Sequence, residues 1–83
     1  MHQEEVLEFV IKHLSREFEI PLDRINLQSN LFEDLELDSI DALDLASRMQ
    51  LELNVAPNRQ ELREIRTVQD VVDYILRNRK ETA

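Results

Sequence analysis

Glu33-Asp34-Leu35-Glu36-Leu37-Asp38-Ser39-Ile40-Asp41 is the stretch around which the rest of the chain is organised. It carries five carboxylates, no basic side chain and one hydroxyl. Asp38 is a good N-cap residue, because its carboxylate can accept hydrogen bonds from the free N–H groups of a helix's first turn. Asp41, three places on, stands where the acidic member of a capping box sits. A helix is therefore expected to start at Ser39, with the serine side chain near the surface where a loop enters the helix. Capping accounts for Asp38 and Asp41. It gives no reason for so much acid around a presented serine.

The helix that begins there is expected over residues 39–53. At 100° per residue, Ala42, Leu45, Ala46, Met49 and Leu53 fall on one side and form a core face. The opposite side holds Ile40, Asp44, Ser47, Arg48 and Leu51, with Asp41 at its edge and Leu43 towards the other margin. Isolated exposed apolar residues are ordinary. Ile40 and Leu51, however, share a face with the acids and start beside Ser39, so the stripe reads as a docking surface for a partner. Asn54 is the stop signal. In a chain without glycine it tolerates the left-handed conformation best.

Upstream, residues 3–18 read as an amphipathic helix, with Leu7, Ile11, Leu14 and Phe18 on one face and Val10 beside them as core. Glu8 and Lys12 form an acid-before-base pair at i, i+4. Pro21 ends this helix. The connection over residues 19–37 has no clean period, but it carries Ile20, Leu22, Ile25, Leu27, Leu31, Phe32, Leu35 and Leu37. It is expected to pack over the core, with a short helical turn at residues 21–24. Connections of this length in small domains are often functional.

Downstream, residues 59–65 can form a short helix with Leu62 and Ile65 inward. Thr67 is an N-cap with Asp70 at the third helical position. Val68, Val71, Val72 and Ile75 continue an apolar stripe that fades into Arg77-Asn78-Arg79-Lys80, where positive charge suits the negative end of a helix dipole. The fold expected is all-α: a single domain over residues 1–83, a small four-helix bundle of three main helices and one short one, with a long first loop.

Composition narrows the function. Hydrophobic content of 42% with 34% charged fits a folded chain rather than a disordered one. So short a chain buries a small core and has little room for a deep active-site cavity. The absence of cysteine excludes disulfides and thiolate metal sites, and the absence of glycine excludes a glycine-rich phosphate loop. His2 and His13 are too far apart for the i, i+4 spacing of a helical metal pair. No window approaches the roughly 18 apolar residues of a membrane span, and the N-terminus is acidic where a signal peptide is basic. A cytoplasmic monomer is the expectation.

The net charge of −8 argues against nucleic acid and against insertion at an anionic membrane. It is also uneven: residues 1–54 balance at −9 and residues 55–83 at +1. An acidic half of this kind attracts and orients basic protein partners.

Two chemistries fail on the residues. A calcium loop starting at Asp34 would need glycine at its sixth position and glutamate at its twelfth, where Ser39 and Leu45 stand. A catalytic Ser39 would need a nearby base and an oxyanion site, and both histidines lie in the first helical segment. No catalytic residue is assigned, and an enzyme is not expected. A serine that is modified fits better, since an exposed hydroxyl at a helix start is accessible and the acids around it would dock a basic modifying enzyme.

Leu31-Phe32-Glu33-Asp34-Leu35 followed by Leu37-Asp38-Ser39-Ile40-Asp41 resembles the prosthetic-group attachment site of acyl carrier proteins, whose core is Asp-Ser-Leu. Ile40 is a conservative variant of that leucine. The run from Ile65 to Ile75 is similar to the family's last helix, and the resemblance covers about residues 3–77.

It implies that Ser39 carries 4′-phosphopantetheine, transferred from coenzyme A by a phosphopantetheinyl transferase with magnesium. The arm's thiol would hold acyl groups as thioesters and deliver them to fatty-acid, polyketide or related enzymes. Asp38, Asp41 and Asp44 match the acidic positions that meet basic patches on loading, condensing and transferase enzymes, and Ile40 would be the apolar contact beside the attachment point.

The chain departs from the pattern at Glu36, where the family often has glycine, which implies a stiffer approach loop. It departs again at Gln50 and Leu51, where glutamates are common, with Arg48 adding positive charge. These differences favour a specialised carrier, with Leu51 as a further recognition position. Two alternatives stay open: a carrier of amino acids, whether aminoacyl, peptidyl or D-alanyl, and an unmodified helical adaptor that uses the acidic face.

Overall fold

The computed structural model describes residues 3–79, and within them the chain forms four α-helices. Helix α1 spans Gln3–Glu17, α2 Ser39–Glu52, α3 Arg59–Leu62 and α4 Val68–Asn78, with a 3₁₀ turn at Leu22–Arg24 inside the long first loop. This is the expected order of three main helices and one short one. His2 and Lys80 lie outside the described residues.

Helix α1 packs on α4. Its buried residues are Val6, Val10, His13 and Leu14, while Leu7, Ile11 and Phe18 are only partly buried. The expected stripe was thus rotated by part of a turn. The arc that meets α4 is centred near Val10, which brings Val6 and a histidine inward and leaves Leu7 and Ile11 at the margin. His13 is accommodated between aromatic rings, stacked on Phe9 with centroids 6.3 Å apart and edge-on to Phe18 at 5.9 Å.

Helix α4 contributes Val68, Val71, Val72 and Ile75, as its period predicts, and also Tyr74, which is 1% exposed. The Tyr74 ring fills the core, and its hydroxyl accepts a hydrogen bond from the Asn58 backbone N–H at 3.0 Å. Apolar periodicity passed over this residue because half of its role is polar: it fastens the chain between α2 and α3 to the core.

The N-terminus of α4 is a capping box. The Asp70 N–H donates to Thr67 Oγ1 at 3.2 Å, and Asp70 Oδ2 accepts from the N–H groups of Thr67 (3.1 Å) and Arg66 (2.9 Å). Burial pushes the Asp70 carboxyl up, but the Arg66 and Thr67 donors and the Arg66 charge outweigh it and hold the group below its ordinary value. A depressed carboxyl contributes stability that is present above its unfolded pKa and lost as pH falls through its folded one. Asp70→Asn should therefore lower the unfolding midpoint at pH 7, with the gap to the parent chain closing below about pH 4. Thermal melts across pH check this, and a gap that widens in acid would refute it.

The first loop is not loose. Ile20, Ile25, Leu31, Leu35 and Leu37 are buried in the same cluster as the helices. Leu22 departs from the expectation: it is 64% exposed, because the 3₁₀ turn rolls it outward. The loop is also pinned to the start of α4. Leu31 N–H donates to Arg66 C=O at 2.8 Å, Val68 N–H to Ser29 C=O at 3.0 Å and Gln69 N–H to Leu27 C=O at 3.0 Å. These bonds satisfy backbone groups that a buried irregular segment would otherwise leave unpaired. The loop thereby becomes a fixed strap that delivers the chain to Asp38.

Candidate functional site

The strap ends in a turn built by two side chains of the opening stretch's neighbourhood. Asn30 Oδ1 accepts from the N–H groups of Phe32 and Glu33, each at 2.9 Å. Asp34 Oδ2 accepts from Asn30 N–H at 2.7 Å. Asp34 is therefore partly structural, which sequence reasoning did not assign to it.

Two residues later Glu36 takes φ 58, in the left-handed region. Glu19 and Asn54 do the same at φ 55 each, so this glycine-free chain places non-glycine residues at all three of its described left-handed positions. Each costs roughly 1 kcal/mol relative to glycine. Glu36 thus follows the backbone path that favours glycine there, and the departure from the family's residue is one of local cost rather than of loop shape.

Asp38 and Asp41 close the capping box as expected. Asp38 Oδ1 accepts from Asp41 N–H at 2.9 Å, and Asp41 Oδ2 accepts from Asp38 N–H at 3.2 Å. Ser39 follows as the first residue of α2 and is exposed. Its hydroxyl makes no hydrogen bond with the described residues. A covalent group on Ser39 Oγ would meet solvent rather than packed side chains, so the position fits a long prosthetic arm.

The other predicted site residues are brought onto the same helix. Ile40 is 74% exposed and Leu51 81%, the two ends of an apolar–acidic stripe that includes Asp44. Asp41 differs from the rest. It is half-buried and occupied in the cap, so it is less available to a partner than Asp44. Asp44 in turn has a neighbour that the sequence did not reveal: its Oδ2 lies 3.9 Å from Nε2 of the buried His13.

On the far margin of α2, Leu43 is 60% exposed and looks across to Arg59 and Arg63 around a common groove. Sequence reasoning missed this grouping, although the i, i+4 spacing of the two arginines on a short helix was its visible sign. Among the described residues, no three or more His, Asp or Glu side chains are arranged to hold a metal ion, and no helix is long and apolar enough to cross a membrane.

The geometry agrees with what the chain resembles elsewhere. The phosphopantetheine attachment site family matches residues 8–75. "Acyl carrier protein 2" of Ralstonia nicotianae is 38% identical over 75 residues, covering 90% of this chain and 93% of that protein. The solved acyl carrier protein of Enterococcus faecalis is 35% identical and superposes with a TM-score of 0.78 over 94% of this chain and 99% of its own. The acyl carrier protein of Thermotoga maritima, at 23% identity, shares the fold with a TM-score of 0.79 over 94% of this chain and 91% of its own.

Proposed function

Because the chain belongs to the acyl carrier protein family, with the attachment-site match running through Ser39 and the last helix, we propose that Ser39 is the residue that carries its 4′-phosphopantetheine. The observation that carries this is the reciprocal Asp38–Asp41 cap, which starts α2 at an exposed serine whose hydroxyl is unengaged. When bound, the group supplies the thiol on which acyl cargo is held. The protein's own part is presentation: the strap and the cap fix where the arm begins, and α2 offers the surface that enzymes read.

Incubation with coenzyme A, magnesium and a broad-specificity phosphopantetheinyl transferase should add one phosphopantetheine to the intact mass. No gain with several transferases would favour the unmodified adaptor instead.

The partners of the family include biosynthetic enzymes and a transferase. For this chain, the recognition face is assigned to Ile40, Asp44 and Leu51, with Asp38 and Asp41 contributing where they are not spent on the cap. Basic docking patches fit its N-terminal end. Asp44→Lys tests this, since Asp44 is exposed and takes no part in the cap. The reversal should slow modification about tenfold or more while lowering stability by less than about 1 kcal/mol. Transferase kinetics and a urea melt measure the two effects, and an equal loss in both would remove the assignment. Asp41→Lys is the poorer probe, because it also breaks the capping box.

A further inference from the structure

A groove of ≈ 550 Å³ runs between α2 and α3. Leu43, Ala46 and Leu62 give it apolar walls, and Ser47 and Gln50 add polar groups from α2. Its charged lining consists of Arg59 and Arg63 alone among the described residues, with no carboxylate. That is unexpected in a chain of 18 acidic and 10 basic residues. The concavity between α1 and α2 mixes Lys12, Arg16 and Arg48 with Glu17 and Glu52, and the one against the first loop sets Arg24 beside Glu33 and Asp34, so both pair cations with carboxylates.

The two arginines are also uncommitted. Arg66 donates to the carbonyls of Arg63 and Ile65, and Arg77 pairs with Glu61 at 2.9 Å. The guanidiniums of Arg59 and Arg63 make no hydrogen bond or ion pair with the described residues.

The groove starts close to the proposed attachment point. Leu43 lies one helical turn beyond Ser39, and the α2 wall from Leu43 to Gln50 extends for about 10 Å at the rise of an α-helix. A plain hydrocarbon laid along it would cover Ser47 and Gln50 and displace water from two cations without giving them partners, which is costly. A carboxylate would meet planar, forked donors that bind it in pairs, at two exposed guanidiniums on the rim of the groove.

We propose that Arg59 and Arg63 make this groove selective for cargo with an anionic end: an acyl group that carries a second, terminal carboxylate. The inference rests on Ser39 bearing the arm. It adds a specificity that the attachment site itself does not contain.

The test uses three forms of the full chain, prepared with a broad-specificity transferase from coenzyme A, pentanoyl-coenzyme A and glutaryl-coenzyme A. The two acyl groups have equal carbon counts and differ in the terminal carboxylate. Intact mass confirms each loading. The glutaryl form is expected to shift the Arg59 and Arg63 Nε–H resonances and to raise the unfolding midpoint by about 4 °C over the pentanoyl form. In the Arg59→Gln/Arg63→Gln double variant that difference should vanish while the pentanoyl form keeps its midpoint.

Equal responses to the two cargoes would overturn the proposal. So would a full shift in the unacylated form, which would assign the guanidiniums to the arm's phosphate. Absence of any mass gain in all three preparations would instead remove the carrier reading of Ser39, and this inference would fall with its premise.

Discussion

Ser39→Ala is expected to abolish the phosphopantetheine mass gain completely while leaving the helical fold and its melting behaviour close to those of the parent chain. The other hydroxyls show why no substitute should take over. Ser15 Oγ donates to Lys12 C=O at 3.1 Å within α1. Ser29 is buried, accepting from Asn26 N–H and donating to Arg24 C=O at 2.8 Å inside the strap. Thr67 caps α4. Ser47 sits mid-helix, two turns from the capped end, where no loop opens the backbone to an approaching enzyme.

Ser39 alone among these joins an unengaged hydroxyl to a helix start. Because its hydroxyl bonds to nothing described, losing it leaves no orphaned partner, and alanine is a better helix former than serine. The stability change should stay within about 0.5 kcal/mol. Intact mass and circular dichroism on the same sample read both halves. A gain that persists in the variant would move the attachment point to another hydroxyl, and a collapse of the fold would make the loss uninformative about the serine. Ser39→Thr then keeps the hydroxyl and serves as the second probe: a folded Ser39→Thr chain that is modified slowly still points to this position.

How much of this was legible in the sequence depends on the kind of signal. Both capping boxes could be read because a cap is a local device: Asp38 with Asp41, and Thr67 with Asp70, need only a spacing of three. The exposure of Ile40 and Leu51 followed from helical period alone. What the period could not give was the exact rotation of α1, since Val6 and Leu7 are both apolar and only the position of α4 decides which of them is covered.

Cross-chain relations were likewise hidden. His13 beside Asp44, Tyr74 reaching Asn58, and Arg59 and Arg63 across from Leu43 all join segments distant in sequence. The strap is the instructive intermediate case. Its apolar anchors announced that it packs, and all but Leu22, Leu27 and Phe32 are buried. Its fixity, however, comes from backbone bonds to α4 that no side-chain pattern encodes.

That fixity leads to the second large effect. Leu31→Ala is expected to cost about 2–5 kcal/mol, the range for deleting a buried leucine side chain without full collapse of the space. Leu31 is 1% exposed and sits at the centre of the strap, between its tie to Arg66 and the Leu37 N–H that donates to its own carbonyl at 2.9 Å. For a chain of 83 residues, total stability is on the order of 4–12 kcal/mol. The substitution should therefore remove about a sixth or more of it and lower the melting midpoint by about 8 °C or more.

The loss should also be local before it is global. The backbone bonds survive the substitution in principle, but they are held in place by the side chain that is gone. Amide exchange should rise first at Leu31, Leu37 and Val68, and later at Val10 and Leu14 in α1. Leu22→Ala is the matched control, since Leu22 lies in the same loop and is 64% exposed, and it should cost less than about 0.5 kcal/mol. If the two substitutions cost the same, the strap is not a packed element. The rate of Ser39 modification should then be independent of Leu31, instead of falling as the segment that delivers Asp38 to the start of α2 comes loose.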